Sequence, residues 1–313
     1  MLAPLLLLWG GPQMRPGIKR GIAGVVLAGL TLLASACANP PGTDGNLVNE
    51  WPEIAAPEGW VPKADTCHKE FAMTSYRRAY TPVSCTTEHR YETVHLGEFT
   101  GDAAKLTAPP TAPGNADLLA AYKDCDAKTT AFVGGEWRSG RLWIGVSVPS
   151  PGAWEGGARW YRCEVSLRED DPYLPGPANW SKSLKGEFSA QSELKYGCYD
   201  IPSDEKKAWV VVACTAGHNA EFVGTFPVTD AWATLNDEAV AKTIHTKCRS
   251  MIAGYVGVPD NGDMKYRTGT YYHYPSEAEW ADGDHAIRCH LWLSGKTLTR
   301  SLKGTGNSGL PIN

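Results

Sequence analysis

The chain has 313 residues, of which 42% are hydrophobic and 20% are charged, and its formal net charge is −4. This length and this composition are those of a globular protein of about two domains. No stretch concentrates basic residues in the way a nucleic-acid-binding surface does, so we expect no nucleic acid partner.

The first 36 residues have the composition of a secretory leader. A short basic segment after Met14 is followed by the apolar run 21–33 and by three small residues ahead of Cys37. This order is typical of a bacterial lipoprotein signal peptide with a lipobox, and the apolar run is too short to span a bilayer comfortably. We therefore expect residues 1–36 to be removed, with translation starting at Met14. Cys37 would then carry a palmitate-type lipid that anchors the chain to the outer face of the cell membrane.

Residues 37–64 are rich in proline and glycine. Proline removes backbone hydrogen-bond donors and keeps a segment extended, so regular ladders do not form there. We predict a tether between the lipid anchor and the first folded domain.

The rest of the chain contains one pattern twice. The motif Cys-x3-His-x2-Glu at 85–92 recurs at 214–221, and each copy continues with a further cysteine, with Pro-Ser-x3-Trp-x2-Gly-x4-Arg-Cys and with a closing Ser-Leu-Lys-Gly. Motifs repeated in the same order indicate an internal duplication. We predict two tandem homologous domains, 65–187 and 194–304, followed by a flexible tail over 305–313.

Apart from Cys37 there are eight cysteines, four in each copy. An even set in a secreted chain indicates two disulfides per copy, although three connectivities are open within each one. Zinc is the rival interpretation, but no two cysteines have Cys-x2-Cys spacing, so we expect no metal. We prefer sequential pairing, which gives Cys67–Cys85, Cys125–Cys163, Cys198–Cys214 and Cys248–Cys289.

Periodicity in the second copy predicts the order β-β-α-β-β-β. The helix, from 236 to 252, places its cysteine in an apolar stripe. In the first copy the equivalent helix is predicted over 117–129. One helix among antiparallel strands indicates an α+β fold, in which a small, mostly antiparallel sheet is covered by one helix in each domain. The strands are predicted from β-branched and aromatic runs at 142–148, 209–214, 221–226, 270–274, 285–293 and 296–302.

Each copy keeps a histidine and a glutamate three residues apart, His89 with Glu92 and His218 with Glu221. An imidazole beside a carboxylate is part of many catalytic and metal-binding arrangements. No serine, cysteine or third ligand stands at a fixed spacing beside both pairs. We therefore prefer a structural role, in which the pairs bind backbone groups, with contact to a partner or a metal as the alternative.

Aromatic residues divide into repeated and unrepeated ones. Trp154 and Trp280 recur in register with a cysteine and a glycine, which favours a place in the core over an exposed glycan platform. A set of tyrosines occurs in the second copy alone, so we regard it as the candidate binding surface. These residues are Tyr266, Tyr271, Tyr272 and Tyr274.

The sequence contains no Gly-x-Ser-x-Gly elbow, no glycine-rich phosphate loop and no His-Glu-x2-His. These motifs mark common hydrolase, nucleotide and zinc-protease sites. We predict that the protein is not an enzyme, that no residue is catalytic and that it needs no cofactor.

The lipobox, the paired Cys-x3-His-x2-Glu motifs and the two closing segments together resemble the septum formation family of actinobacterial envelope proteins. The resemblance covers 65–185 and 194–304. It implies a place in the cell envelope and a part in septation, a step of cell division, and it supplies no catalytic residues. The resulting hypothesis is a lipid-anchored, extracytoplasmic binding or structural protein that engages an envelope protein or a cell-wall polymer. The alternatives are a small wall hydrolase or a metal-binding lipoprotein that uses the histidine and glutamate pairs.

Overall fold

The computed structural model describes residues 59–169, 176–188, 192–203 and 208–312. The leader, Cys37 and most of the tether lie outside these residues. The described residues belong to one compact unit. None of the helices in these ranges combines the length and the apolar character that crossing a bilayer requires.

The first half of the described chain builds one five-stranded mixed sheet. Its strands are β1 (Thr66–His68), β2 (Thr74–Ser75), β3 (Tyr91–Glu98), β4 (Leu142–Pro149) and β5 (Trp160–Leu167). They lie in the order β1-β3-β5-β4-β2, with β2 parallel to β4 and the other neighbours antiparallel. Every residue of β5 is buried, because both faces of the sheet are covered at its centre.

Helix α1 (Ala116–Val133) packs on β3, β4 and β5. It begins after Asn115, whose side-chain oxygen accepts hydrogen bonds from the N–H groups of Asp117 (2.9 Å) and Leu118 (3.1 Å). It ends at Gly134, which has a φ of 85°. The helix is longer than predicted at both ends, because the cap lies at Asn115 and no residue before Gly134 stops it.

The second half builds a five-stranded antiparallel sheet. Its strands are β6 (Cys198–Asp200), β7 (Val210–Val212), β8 (Ala220–Pro227), β9 (Gly269–His273) and β10 (Ala286–Trp292). They lie in the order β7-β6-β8-β10-β9.

Short helices accompany both sheets. Helix α2 (Pro151–Glu155) follows β4. The second half also has a long helix, α3 (Glu238–Val256), which packs on β8, β9 and β10. The remaining α-helices of the described residues are α4 (Met264–Arg267), α5 (Glu277–Asp282) and α6 (Gly306–Gly309).

The Pro-Ser-x3-Trp-x2-Gly segments form helical turns rather than plain connections. Ser150 caps α2 and Ser276 caps α5, each through its hydroxyl. A serine followed by helix-compatible residues starts a helix readily, because its oxygen satisfies a free backbone N–H. The tryptophan of each turn is buried, with Trp154 1% and Trp280 7% exposed, which is where the repeated spacing predicts them.

Four disulfides join the pairs preferred from the sequence. Two of them fasten the long helices to interior strands of the sheets, Cys125 of α1 to Cys163 of β5 and Cys248 of α3 to Cys289 of β10. The other two, Cys67–Cys85 and Cys198–Cys214, fasten the first strand of each sheet to the segment that precedes its motif histidine. On the chain-entropy model, each bridge contributes about 3 to 4 kcal/mol.

The order β-β-α-β-β-β predicted for the second half is wrong, because three strands precede its long helix and two follow it. The segment 296–302 is not a strand, since its ladder contact is a single bridge between Leu298 and His218. The backbone N–H of Leu302 donates to the Glu221 carboxylate instead of to a neighbouring strand. Strand β6, which has three residues, is not evident from the sequence. A strand this short has too few positions for alternation to be visible.

The segment predicted as a flexible tail differs from that prediction over most of its length. It begins with α6, and Leu310 is 1% exposed within the second-half core. A guanidinium hydrogen bond from Arg267 to the Leu310 carbonyl fastens the segment further. The buried Leu310 side chain and this hydrogen bond together hold the segment against the core.

Helix α5 ends against the first half at Gly283, which has a φ of 119°. A Cβ there would lie 2.8 Å from Tyr122, whereas a Cβ at its counterpart Gly157 would meet nothing within 4 Å. We expect Gly157→Ala to lower the free energy of unfolding by about 1–2 kcal/mol through its positive φ alone. Gly283→Ala should cost about 1–3 kcal/mol more through overpacking. Urea denaturation with the disulfides intact measures both, and equal losses would contradict the close contact with Tyr122.

Candidate functional site

The paired motif of the second half forms a buried hydrogen-bonded cluster. His218 and Glu221 are both fully buried, and the imidazole Nε2 lies 3.3 Å from a carboxylate oxygen of Glu221. The other ring nitrogen, Nδ1, donates to the carbonyl of Ala216 at 2.8 Å. Both histidine nitrogens therefore have partners inside the protein.

The Glu221 carboxylate binds the closing Ser-Leu-Lys-Gly segment. It accepts hydrogen bonds from the Ser301 hydroxyl (2.7 Å), the Leu302 N–H (2.8 Å) and the Tyr255 hydroxyl (2.7 Å). Burial and the adjacent carboxylate raise the pKa of Tyr255, so this phenol stays protonated and continues to donate. Glu221 thus fastens the end of the second half to its third strand.

The first half repeats this arrangement with fewer donors. Glu92 accepts from the Ser183 hydroxyl (2.6 Å) and the Leu184 N–H (2.8 Å). His89 is 2% exposed and donates from Nδ1 to the carbonyl of Thr87 at 2.7 Å. The motif and the closing segment recur together in the sequence because they are in contact in each half.

This geometry does not form a nucleophilic triad. In a Ser-His-Glu triad the imidazole lies between the nucleophile and the carboxylate. Here the carboxylate lies between them, because Ser301 and His218 both contact Glu221 and the second histidine nitrogen is bound to backbone.

Each cluster also has the donor types of a metal site. The potential ligand atoms of Cys67, His89 and Glu92 lie within 4.8 Å of one another, and the same holds for the equivalent cluster, Cys198 with His218 and Glu221. Both cysteines are in disulfides. Because the thiolate is the form that binds metals, either cluster could hold a metal only after its bridge is reduced.

The four candidate tyrosines do not lie on one surface. Tyr266 is on α4 and is 53% exposed. Tyr271 packs on the face of the second sheet that carries the Tyr199 and Trp209 cluster. Tyr272 and Tyr274 pack on the other face, beneath α3. Successive strand residues point to opposite faces, and this alternation divides the set.

An open cleft of about 1070 Å³ lies beside the Glu221 cluster. Its wall includes the Cys198–Cys214 disulfide and Tyr255, so the tyrosine that donates to Glu221 also shapes the cleft. It combines apolar side chains with cationic ones at Lys195 and Lys303. Its other principal side chains are Glu193, Tyr196, Phe222 and Met251.

Buried ionisable side chains occupy the sheet faces opposite the long helices. In the first half, Thr93 donates to Glu164 at 2.7 Å and the Arg162 guanidinium lies 3.3 Å from the same carboxylate oxygen. Burial and the charge of Arg162 lower the pKa of His68 to about 4. In the second half, burial and Arg288 lower the pKa of His273 to about 4.

These histidines predict a loss of stability in mild acid. Because their pKa values are about 4 in the folded chain and about 6.5 when unfolded, the unfolded state binds more protons between these values. The contribution of these histidines to the free energy of unfolding is therefore fully present above pH 6.5 and is lost as the pH decreases toward 4. For His273 this loss is on the order of 3 kcal/mol. Burial raises the pKa of Glu164, which acts in the opposite direction.

Urea denaturation between pH 7.5 and 4.5 measures this effect on the wild type and on His273→Phe, an aromatic replacement in an aromatic neighbourhood. The variant should lose less stability over this range, as on the order of 3 kcal/mol of the change is assigned to His273. Parallel curves for the two proteins would contradict this assignment.

Comparison with known proteins agrees with the motif pattern. A search of curated proteins and a search of solved structures find no match to the chain. The sequence profile described as septum formation matches residues 64–289, which is more than half of the chain and includes both paired motifs and all four disulfides. The chain therefore belongs to the septum formation family.

Proposed function

We propose that this protein is a lipid-anchored binding protein on the extracytoplasmic face of the cell membrane, where it engages an envelope protein or a cell-wall polymer during septum formation. The observation that carries this proposal is the contrast between the paired motifs and the cleft. The motif side chains are buried and bound within their own half, whereas the cleft of about 1070 Å³ is open. The cleft can therefore bind a partner without any catalytic group.

Three further observations support the setting. The leader pattern and Cys37 are those of a lipoprotein. Four disulfides suit an oxidising compartment outside the cytoplasm. The recurring motifs favour two homologous domains, 65–187 and 194–304, each with a sheet and a long helix, which the tether would hold away from the lipid.

The anchor is tested by Cys37→Ala. We expect the wild-type chain to fractionate with membranes and to carry a diacylated N-terminal cysteine by mass spectrometry. The variant should lose the lipid mass and leave the membrane fraction. An unmodified Cys37 in the wild type would refute the anchor and leave the cleft proposal to be tested separately.

The cleft is tested by charge reversal at its rim. Lys195→Glu with Lys303→Glu should reduce the partners recovered after crosslinking in living cells. The matched control is Lys242→Glu with Lys247→Glu, which reverses two exposed charges on α3 and away from the cleft. Equal recovery from both double variants would contradict binding at the cleft, and no partner above background in the wild type would contradict the function itself.

A metal-binding role is the second candidate, because each half gathers a cysteine, a histidine and a glutamate. It predicts stoichiometric zinc in protein purified without chelator, or zinc uptake after treatment with a dithiol. The hydrolase alternative predicts that His218→Ala abolishes wall-degrading activity in a folded protein. Protein that is free of zinc both before and after reduction would exclude the metal-binding role.

A further inference from the structure

A second cavity, of about 270 Å³, lies where the first sheet meets helix α5. Three partly exposed aromatic rings form one side of it, and an arginine and a glutamate stand among its polar groups. We call this the aromatic cavity, and we define it by Phe71, Tyr91, Trp143, Ser166, Arg168 and Glu279.

Strand register explains why space remains there. Tyr91 of β3, Ser166 of β5 and Trp143 of β4 are directly paired across three neighbouring strands. The small serine lies between two large aromatic side chains, so the surface is recessed at its centre. The three rings contact one another, with centroids 4.9 Å apart for Phe71 and Trp143 and 6.0 Å apart for Tyr91 and Trp143.

The second half has the opposite size pattern at the same register. Trp292 lies three residues after Cys289, as Ser166 lies three residues after Cys163. It pairs with Ala220 on one side and with Gly269 on the other. There the large residue is central and its neighbours are small. The recess is therefore specific to the first half and is not a consequence of the shared fold.

The polar groups of the cavity indicate the charge of its occupant. Arg168 is ion-paired with Glu279, so the two charges compensate each other. The Nε of Arg168 is nevertheless buried without a hydrogen-bond partner among the residues that the structure describes. This atom has almost no accessible surface, so it belongs to the wall of the cavity and is not a donor open to a ligand. The cavity thus combines an aromatic wall with polar groups of no net charge.

We propose that the aromatic cavity is a subsite for one ring of a neutral saccharide. A pyranose ring presents aliphatic C–H groups that pack on aromatic faces, and its hydroxyls can form hydrogen bonds with the polar side chains of the wall. A cationic ligand would face Arg168, and an anionic ligand would face Glu279. This proposal rests on the proposed envelope function for its biological setting, and it specifies that the wall polymer is a glycan. Its chemistry is argued from the cavity alone.

The test uses the full chain, expressed with its own leader and purified in a detergent without a sugar headgroup. Cellotriose and tri-N-acetylchitotriose are the probes, and binding is measured by saturation-transfer NMR and by titration of tryptophan fluorescence. We expect at least one trisaccharide to bind. Trp143→Ala should weaken that binding by about tenfold or more, which corresponds to about 1.4 kcal/mol.

Two controls keep the result interpretable. Tyr266→Ala removes an aromatic side chain that is 53% exposed and outside the cavity, and should leave the affinity unchanged. The triple variant Tyr91→Ala, Ser166→Trp and Trp143→Gly gives the three paired positions the size pattern of the second half, and it should abolish binding. It serves as the test variant if Trp143→Ala does not fold. Thermal unfolding establishes which variants are folded.

No binding of either trisaccharide to the wild type, or equal affinity in the wild type and the folded variants, would overturn the proposal. Saturable binding of benzoate or choline in place of the trisaccharides would overturn the saccharide assignment. Neither outcome affects the rim-charge experiment, since Lys195 and Lys303 line a different cavity.

Discussion

Arg138→Ala is expected to lower the free energy of unfolding by about 3 kcal/mol, because the buried Asp284 then keeps one of its two arginine partners, Arg288, and Asp126 loses its guanidinium. The Arg138 guanidinium binds Asp126 at 2.7 Å in the first half and Asp284 at 2.8 Å in the second, and Asp284 is 4% exposed. Burial by itself would lower the pKa of Arg138, but these two partners raise it above its ordinary value. Urea denaturation with the disulfides intact measures the loss.

Arg90→Ala is the matched control for this experiment. Its guanidinium lies 2.8 Å from Glu70, which is about as close as the pairs of Arg138, but the Glu70 side chain is 78% exposed. Exposed pairs contribute about 0 to 1 kcal/mol. A loss from Arg138→Ala no larger than that from Arg90→Ala would show that the buried network does not hold the two halves together.

Glu221→Gln is expected to cost about 3 kcal/mol, since an amide nitrogen then faces hydrogen-bond donors. Three donors converge on the carboxylate, from Tyr255, Ser301 and Leu302. An amide keeps one oxygen acceptor, so part of the cluster loses its partner. We expect the closing segment to detach more easily, and limited proteolysis at 296–304 should become faster than in the wild type.

The equivalent change in the first half is its natural comparison. Glu92 accepts from two groups, Ser183 and Leu184, where Glu221 accepts from three. Glu92→Gln should therefore lower stability by about 1–2 kcal/mol, less than Glu221→Gln. Unchanged stability and unchanged proteolysis in Glu221→Gln would contradict the role assigned to the carboxylates.

The long elements could be predicted because their signals extend over many residues. The apolar stripe that contains Cys248 predicts α3, and the β-branched and aromatic runs predict β8 and β10. Confining the disulfides to each half left three connectivities open there, and the structure has the sequential one that we preferred. The resemblance to the septum formation family, which the sequence profile confirms, rests on the same motifs.

The remaining features depend on contacts between distant residues. Nothing local in Lys296–Leu302 reveals that Glu221, 81 positions from Leu302, takes its backbone donor. The approach of Gly283 to Tyr122 and the bond from Arg138 to Asp284 likewise join the two halves. One signal for the aromatic cavity was present in the sequence. Three residues after Cys163 the first copy has Ser166, whereas three residues after Cys289 the second copy has Trp292.

The carboxylate contacts also bring the two ends of each half together, because Glu92 pairs with Cys67 of β1 and Glu221 pairs with Cys198 of β6. Glu92, early in the first half, binds Ser183 and Leu184 at its close, and Glu221 does the same with Ser301 and Leu302. A unit whose termini are adjacent can be copied head to tail with a short joint, because the new chain starts where the old one stops. For the same reason we expect the chain to tolerate circular permutation within a half, with the old ends of that half joined and new ends opened at an exposed loop.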